Sequence, residues 1–461
     1  MDGPSIARKQ NTKFLYVIFG LVVLFLSNMI PPLQSPDELD HLQRAYLLGH
    51  GQIILDNEPG QMTGGQVDSG LIGYLINYAQ LAGKPEARMN QRMKDAGDAA
   101  QWTGQKHHSI LPGTASYFPA VYLPQAIGLR TGELLHFSID NSYRLARTLS
   151  VLGFIGLLVL SFRIYQPVAL PLLIIILPMT MFQIASTTID GISIGLTFVS
   201  LSCFMRNVRD KDRSTFIGLV VSVSLVVSCR AYMLPLFILP FVSAYALKGA
   251  RQYGIAALSV VATLSWLAYT IAHTVDTRSS LGATTGEIIK YYLINPGAAF
   301  HVAFNTVTNH DLMVMYRQSF IGKLGWLDTT LPTYAYTTLQ CALLVGIIAL
   351  VKWSNLKSKT SITLIFVAVT ASALIFAAIL ATWTPHPAVT VQGVQGRYFA
   401  IPAILVLYAL GEGVSFGRWF STYALGFLIM VFSAFIMSSA LLDRFYTALP
   451  VDQALPVVLA G

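Results

Sequence analysis

Long apolar runs recur along this chain, and they constrain its fold more than any other feature. Runs of about 17 to 25 residues are long enough to cross the hydrocarbon core of a bilayer as helices. Since backbone groups inside lipid must bond within their own segment, the predicted fold class is an all-α polytopic membrane protein. The runs predict about eleven transmembrane helices, near residues 14–30, 142–163, 167–187, 190–206, 214–229, 231–247, 253–273, 335–352, 360–383, 398–414 and 418–441.

The composition agrees with a membrane protein and excludes a large soluble core. Hydrophobic residues make up 54% of the chain and charged residues only 11%, whereas soluble domains carry roughly 25% charged residues. The cysteines, Cys203, Cys229 and Cys341, all lie in apolar runs. Neither a disulfide framework nor a zinc site is therefore expected.

The net charge of +8 is explained by topology once its distribution is considered. With the N-terminus in the cytoplasm, the inner segments carry 14 basic residues against 4 acidic ones, and the rest of the chain has a small acidic excess. Short cytoplasmic loops of membrane proteins show this basic bias. The charge therefore predicts orientation and no nucleic-acid partner. The inner segments are residues 1–13, 163–167, 206–214, 247–252, 352–360 and 411–418.

The remaining loops are predicted on the periplasmic side. Segment 31–141 is a long first loop with amphipathic helices, and segments 274–334 and 384–397 complete a cap over one domain, residues 1–461. The first apolar run lacks a small-residue cleavage site and is expected to remain as an anchor. Arg230 is expected at the outer turn of a hairpin, because an arginine at the bilayer centre costs at least about 2.5 kcal/mol.

A dense charged cluster follows the first apolar run, where the chain reaches the outer side. Ser35 is a favourable N-cap, Pro36 suits a first helical position, and Glu38 would complete a Ser-x-x-Glu capping box. A helix is therefore predicted to begin here. For Glu38 the capping role is favoured over a catalytic one.

Three further polar residues of this predicted helix share one face. Asp37, His41 and Arg44 are spaced i, i+4 and i+7, with Asp40 beside them. An exposed Asp37–His41 pair would contribute only a few tenths of a kcal/mol. A functional role is favoured for Asp37, because a cap does not require additional acids. For His41 and Arg44 both interpretations stay open, so the candidate catalytic set is Asp37, Glu38, His41 and Arg44.

Three motifs resemble those of a bacterial family of polytopic membrane proteins without an agreed activity. The motifs are Ser-Pro-Asp-Glu with His41 and Arg-Ala-Tyr at 35–46, the Gly-Lys-Leu-Gly-Trp-Leu-Asp stretch at 322–328, and Gln-Gly-Arg-Tyr-Phe at 395–399. That family is similar to the GT-C glycosyltransferases, multi-span enzymes that use polyprenyl-phosphate sugars. The resemblance implies a GT-C-like fold, with Asp37 as general base and Arg397 as a ligand of the donor phosphate.

The residue chemistry suits sugar transfer independently. A carboxylate can accept the proton of an attacking hydroxyl group, and cations stabilise a leaving phosphate. Gly393 and Gly396 permit a tight loop before Arg397, which predicts an anion site. The alternative is an arginine that snorkels to the interface, with Tyr398 and Phe399 in an aromatic belt.

Other candidates carry weaker signals, and each has a structural alternative. Arg230 and Lys323 are further phosphate ligands or surface charges, and Asp190 is a helix cap or a cavity residue, with the cap favoured. No metal ligands are assigned to His107 and His108. The predicted substrate-binding residues are Trp326, Asp328, Tyr398 and Gln395.

The resulting hypothesis is an inverting glycosyltransferase of the bacterial inner membrane. It would move a sugar from a polyprenyl-phosphate donor to a surface glycan or lipid-linked acceptor at the periplasmic face. The sequence leaves open whether a divalent cation, Mg²⁺ or Mn²⁺, takes part. The alternatives are a transporter or flippase for lipid-linked sugars, and a glycan polymerase or ligase.

Overall fold

Most of the chain is helical. The computed structural model describes residues 17–57, 60–277, 281–411 and 416–447. The helices are α1 (Val17–Met29), α2 (Glu38–Gly49), α3 (Ser69–Ala79), α4 (Gln91–Asp98), α5 (Leu123–Leu134), α6 (Ile139–Ile164), α7 (Leu172–Ile175), α8 (Pro178–Ile184), α9 (Asp190–Arg209), α10 (Phe216–Cys229), α11 (Ile238–Leu247), α12 (Ala250–Ala272), α13 (Thr285–Ile294), α14 (Pro296–Thr308), α15 (His310–Ile321), α16 (Thr333–Leu350), α17 (Lys359–Thr382), α18 (Ala400–Leu410) and α19 (Phe416–Phe445). Single 3-10 helices occupy Pro112–Thr114, Pro119–Tyr122, Ala231–Phe237, Trp353–Lys357 and Gly396–Phe399.

Six helices within the described residues are long and apolar enough to cross a bilayer: α6, α9, α12, α16, α17 and the Ala424–Phe445 part of α19. Shorter apolar helices cover Val17–Met29, Phe216–Cys229, Ala231–Leu247 and Gly396–Leu410. The predicted polytopic helical protein is thus confirmed, but the count of eleven spans is not. The predicted span at 167–187 is wrong, because the chain there is broken into α7 and α8. Leu177 is extended before Pro178, a residue that disfavours helix immediately upstream.

The segments predicted on the outer side also contain strands, which the all-α prediction missed. Strands β1 (Gly64–Asp68) and β2 (Lys106–Ile110) pair antiparallel, as do β3 (Lys323–Leu324) and β4 (Thr329–Thr330). The side chain of Asp68 accepts hydrogen bonds from the backbone N–H groups of Gly70 and Gly104, at 2.8 and 2.7 Å. This carboxylate joins the loop before β2 to the start of α3.

The central helix is α9, the most buried of the candidate spans. It packs against α6, α10 and α11. Helix α5 lies between α6 and α2, and Gly128 allows the close approach of α5 to α6. A Cβ atom at Gly128 would lie 2.4 Å from the Cα of Ala146. Through α5, helix α2 is thereby held against the helical bundle.

Loops predicted on the same side of the membrane contact one another. At the predicted outer end, the Arg444 guanidinium at the end of α19 donates hydrogen bonds to the carbonyl oxygens of Leu81 and Lys84. At the predicted inner end, Arg206 donates to the carbonyl oxygen of Ile164 and Arg213 to that of Leu247. These contacts show which loops lie together at each end of the helical bundle. The charge distribution predicts which of the two ends faces the cytoplasm.

Candidate functional site

The segment from Leu33 to Glu38 is buried except for one side chain. Asp37 has 56% of its side chain exposed, whereas its neighbours in this segment are buried. Its backbone is left-handed, with φ of 66°. Aspartate visits this region more readily than most residues. The segment is therefore a packed platform that presents a single carboxylate.

Glu38 holds this platform in place. Its carboxylate accepts hydrogen bonds from the Ser35 N–H at 3.1 Å and the Tyr143 hydroxyl at 2.9 Å. It also accepts from the backbone N–H and the hydroxyl of Thr187, both at 2.9 Å, and from Arg147 at 3.3 Å. Glu38 has no exposed surface. A carboxylate with five donors in a dry environment has a structural role here, distinct from that of its neighbour.

Only half of the predicted capping box forms. Glu38 accepts from the Ser35 N–H, but the Glu38 N–H donates to the Ser35 carbonyl oxygen and not to the Ser35 hydroxyl, which donates to the Gln183 side chain at 3.4 Å. Helix α2 begins at Glu38 and not at Pro36, because Asp37 adopts the left-handed conformation. The same conformation aims the Asp37 side chain away from the buried face.

Asp37 contacts a chain of alternating charges, called here the carboxylate–arginine cluster: Asp37, Arg397, Asp190 and Arg230. Arg397 donates hydrogen bonds to Asp37 at 2.6 Å and to Asp190 at 3.4 Å. Arg230 pairs with the other oxygen of Asp190. Only 6% of the Arg397 side chain is exposed. Two guanidinium groups are thus concentrated beside one exposed carboxylate.

Each member of the cluster comes from a break in helical structure. Asp190 is the first residue of α9, and Arg230 follows the last residue of α10. Arg397 lies in a 3-10 helix that packs closely on α15, since a Cβ atom at Gly396 would lie 2.1 Å from the Tyr316 carbonyl oxygen. The Gln395 side chain accepts a hydrogen bond from Arg397 Nε, at 2.6 Å. Gln395 therefore orients the guanidinium.

Tyrosines surround the cluster. Arg230 donates a hydrogen bond to the Tyr232 hydroxyl at 2.7 Å. The guanidinium of Arg397 lies 5.3 Å from the centre of the Tyr398 ring, and the rings of Tyr232 and Tyr398 are 6.3 Å apart. Such rings offer apolar faces and hydroxyl groups, which suits a ligand with both polar groups and C–H surfaces.

His41 is buried in the protein interior beside this cluster. Its Nδ1 and the Tyr122 hydroxyl form a hydrogen bond of 2.7 Å, and its ring is stacked 6.0 Å from that of Tyr117. Burial lowers the pKa of His41 to about 4. Burial also raises the pKa of Tyr122 well above its usual value. Both groups are therefore neutral at pH 7, and His41 is a hydrogen-bonding group rather than a cation there.

The depressed pKa of His41 predicts a pH-dependent stability. Unfolded histidine binds its proton near pH 6.5 and the folded residue only near pH 4, so the unfolded state binds more protons between these values. Stability should be full above about pH 7 and fall by up to about 3 kcal/mol as the pH decreases to 4. Unfolding of the purified protein in detergent at each pH would measure this. His41→Gln should flatten the curve, and a slope unchanged by the substitution would contradict the prediction.

Arg44 is not part of the cluster. The buried guanidinium of Arg44 donates hydrogen bonds to the carbonyl oxygens of Gln52 and Ile53, at 3.0 and 2.6 Å. The Arg44 guanidinium, predicted on the same helix face as Asp37 and His41, therefore bonds to loop carbonyl groups and not to the cluster. Its bonds fix the loop that follows α2.

The predicted residues of segment 322–332 also lie in structural contacts. The Trp326 indole N–H donates to the Leu33 carbonyl oxygen at 2.9 Å, which supports the platform from outside. Asp328 is almost fully buried and pairs with Arg444 at 2.8 Å. Lys323 is half-buried in β3, opposite Thr330. These hydrogen bonds join Trp326 and Asp328 to Leu33 and Arg444, and not to the described residues of the cluster. The substrate-binding role predicted for them stays a prediction.

Sequence reasoning missed Asp190 as a cluster member. Asp190 is the sole carboxylate between Asp140 and Asp210, and Arg230 is the sole base between Arg213 and Lys248. Ionisable residues isolated in apolar sequence usually pair with one another. This pattern could have indicated the Asp190–Arg230 pair, whereas nothing local marks Tyr117, Tyr122 or Tyr232.

The described residues contain no group of three or more histidine, cysteine, aspartate or glutamate side chains placed to hold a metal ion. The positive charge at the site is supplied by arginine. The divalent cation that the sequence left open is therefore not assigned to any residues.

Several apolar helices of spanning length, with a carboxylate–arginine cluster where the ends of α9 and α10 meet, define a polytopic helical membrane protein with a polar site at one end. The chain belongs to the family described as "Predicted membrane protein (DUF2142)", which matches residues 18–408. No curated protein matches it.

Proposed function

We propose that this protein is an inverting glycosyltransferase that takes a sugar from a polyprenyl-phosphate donor, with a GT-C-like architecture. The observation that carries the proposal is Asp37, the exposed carboxylate of a buried platform, in contact with the Arg397 guanidinium at 2.6 Å. A base and a phosphate ligand are thereby adjacent. The proposed location is the periplasmic face of the bacterial inner membrane, and the acceptor is a surface glycan or lipid-linked sugar.

The proposed step is a single displacement at the anomeric carbon. The acceptor hydroxyl oxygen forms a bond to C1 of the sugar while the bond from C1 to the phosphate oxygen breaks, which inverts C1. Asp37 takes the hydroxyl proton. The electron pair of the broken bond stays with the polyprenyl phosphate, and Arg397 and Arg230 stabilise the resulting charge.

Arg397 pairs with Asp37 in this structure, and we propose that it pairs with the donor phosphate instead once the donor binds. Asp190 is 14% exposed and contacts both arginines, so it can hold them while Asp37 is released. A donor phosphate that occupies Arg397 would then leave the Asp37 carboxylate free as a base.

An apolar groove next to Arg397 supports a lipid-linked donor. It has a volume of about 640 Å³ and is formed by α15, α16 and the 3-10 helix that carries Arg397. Its lining includes Phe320, Leu344, Ile347 and Phe399, and Arg317 is also present. A polyprenyl chain lying here would bring its phosphate towards the cluster, and the tyrosines around the cluster would face the sugar.

Arg397→Lys is expected to lower kcat/KM for a polyprenyl-phosphate sugar by about 10² to 10³, mainly through weaker donor binding. Lysine keeps the positive charge beside Asp190, but it lacks the planar guanidinium group whose two nitrogens contact two anionic groups at once. The measurement is transfer by the full chain in proteoliposomes, with labelled donor. Arg144→Lys is the matched control, because Arg144 pairs with Asp140 and is 53% exposed.

Two outcomes would count against the proposal. Unchanged donor affinity in Arg397→Lys would remove Arg397 as the phosphate ligand. Movement of labelled lipid across the bilayer without any sugar transfer would favour the flippase alternative. Transfer that extends a lipid-linked glycan by many units would instead identify a polymerase with the same site.

A further inference from the structure

Helix α14 carries an apolar stripe that is more than half exposed in the part of the chain that the structure describes. The stripe is Phe300, Phe304 and Val307, spaced i, i+4 and i+7, and these side chains are 66%, 53% and 54% exposed. The helix contains no aspartate, glutamate, lysine or arginine, and its one histidine, His301, is exposed beside the stripe. A helix in water normally places charged or polar groups on its exposed face. This face is therefore unsuited to the aqueous cap that the sequence analysis predicted for segment 274–334.

The opposite face of α14 is packed, so the helix has a fixed orientation. Val302 is 4% exposed and Thr306 is fully buried. The Thr306 hydroxyl accepts a hydrogen bond of 2.8 Å from the backbone N–H of Val391. The stripe is consequently held outward by contacts on the other side of the helix, and it cannot turn inward without breaking them.

The preceding helix α13 extends the same apolar surface. Leu293 and Ile294 at its end are 77% and 66% exposed, while Ile288 is packed at 1%. Its charged residues, Glu287 and Lys290, lie in the first six residues. The end of α13 and the stripe of α14 meet at the single connecting residue, Asn295, and form one hairpin surface.

This surface continues into that of a candidate span. Helix α13 packs on α17, whose Phe366 and Val369 are 55% and 61% exposed. Asn305 of α14 donates a hydrogen bond of 3.3 Å to the carbonyl oxygen of Val389, which is 72% exposed. Trp383, at the end of α17, is 59% exposed. Tryptophan at the end of a span is typical of the membrane–water interface.

We propose that α13 and α14 form a hairpin that lies in the lipid–water interface, with Phe300, Phe304 and Val307 inserted among the lipid chains. The helices have 10 and 13 residues, too few to cross a bilayer, which needs about 20. We expect lipid rather than another protein to cover the stripe, because the stripe is continuous with the exposed apolar surface of α17. Interfacial helices lie in the plane of the membrane surface, with their apolar face among the lipid chains.

The hairpin also fixes the depth of the polar site. Its buried residue Thr306 holds Val391 in loop 384–397, and the Gly396 N–H of the same connection donates to the Ser319 hydroxyl at 2.8 Å. Arg397 follows directly. Insertion of α14 therefore places Arg397 close to the plane of lipid headgroups, whatever reaction the site performs.

The test uses the full chain in phosphatidylcholine vesicles, with a nitroxide spin label at Phe304→Cys in a Cys341→Ser background. Cys341 is exposed and must be removed, whereas Cys203 and Cys229 are buried. Oxygen concentrates in lipid and a neutral nickel chelate in water, so their effects on spin relaxation report depth. The label at 304 should respond more to oxygen than to nickel. A label at Asp95→Cys, on the exposed polar face of α4, should show the reverse.

Two results would overturn the proposal. The first is a label at 304 that responds to nickel as strongly as the label at 95, which would place the stripe in water. The second is strong spin–spin coupling at 304 that persists when the protein is diluted in lipid, which would identify a second copy of the chain as the occupant. Equal thermal unfolding of both labelled variants and the parent protein would show that the fold is retained.

Discussion

Asp37→Asn is expected to lower the rate of sugar transfer by about 10² to 10⁴, because the amide cannot accept the proton of the acceptor hydroxyl group. The fold should be retained, for a specific reason. Asp37 has φ of 66°, and asparagine adopts this left-handed conformation as readily as aspartate does. Alanine would add backbone strain, so asparagine is the informative substitution. The measurement is single-turnover transfer from a polyprenyl-phosphate sugar in proteoliposomes.

The control for this substitution is Asp95→Asn. Asp95 is an exposed carboxylate of α4 that accepts a hydrogen bond from Gln91 and lies outside the cluster. It should transfer sugar at the rate of the unmodified protein. Transfer by Asp37→Asn within threefold of that rate would exclude Asp37 as the base, and the proposed mechanism would fail with it.

Glu38→Ala is expected to lower the free energy of unfolding by about 3 to 5 kcal/mol, the usual cost of removing one partner of a buried ion pair. The loss leaves the Arg147 guanidinium without its carboxylate, and it leaves the N–H and hydroxyl of Thr187 without an acceptor. The measurement is unfolding of the purified protein in mixed micelles, as a function of the mole fraction of denaturing detergent.

Two further variants show whether the loss of stability is specific to Glu38 or follows the removal of any glutamate in this segment. Glu86→Ala removes an exposed glutamate of the same segment, 31–141, and should change the free energy of unfolding by less than about 0.5 kcal/mol. Glu38→Gln keeps the shape and one acceptor, and it should be intermediate. A loss below 1 kcal/mol in Glu38→Ala would show that the network around Glu38 does not hold the platform.

The sequence predicted the pieces of the candidate site better than their arrangement. The capping signal correctly connected Glu38 with the Ser35 N–H, because that contact is local. It failed for the helix start, where tertiary contacts of Glu38 with Arg147 and Thr187 accompany a left-handed Asp37. The position of Arg44 along the helix was predicted, but its partners were not, since its guanidinium bonds to carbonyl groups of the loop that follows.

The sequence by itself determined that this is a polytopic helical membrane protein, and it predicted which loops share a side. These properties depend on local hydrophobicity and charge, which are read one segment at a time. Only the tertiary structure shows the contact between Asp37 and Arg397, 360 positions apart, and the half-buried Asp190 that joins Arg397 to Arg230. Apolar helices can pack in many ways with similar burial, so local patterns of hydrophobicity and charge do not reveal which helix ends meet.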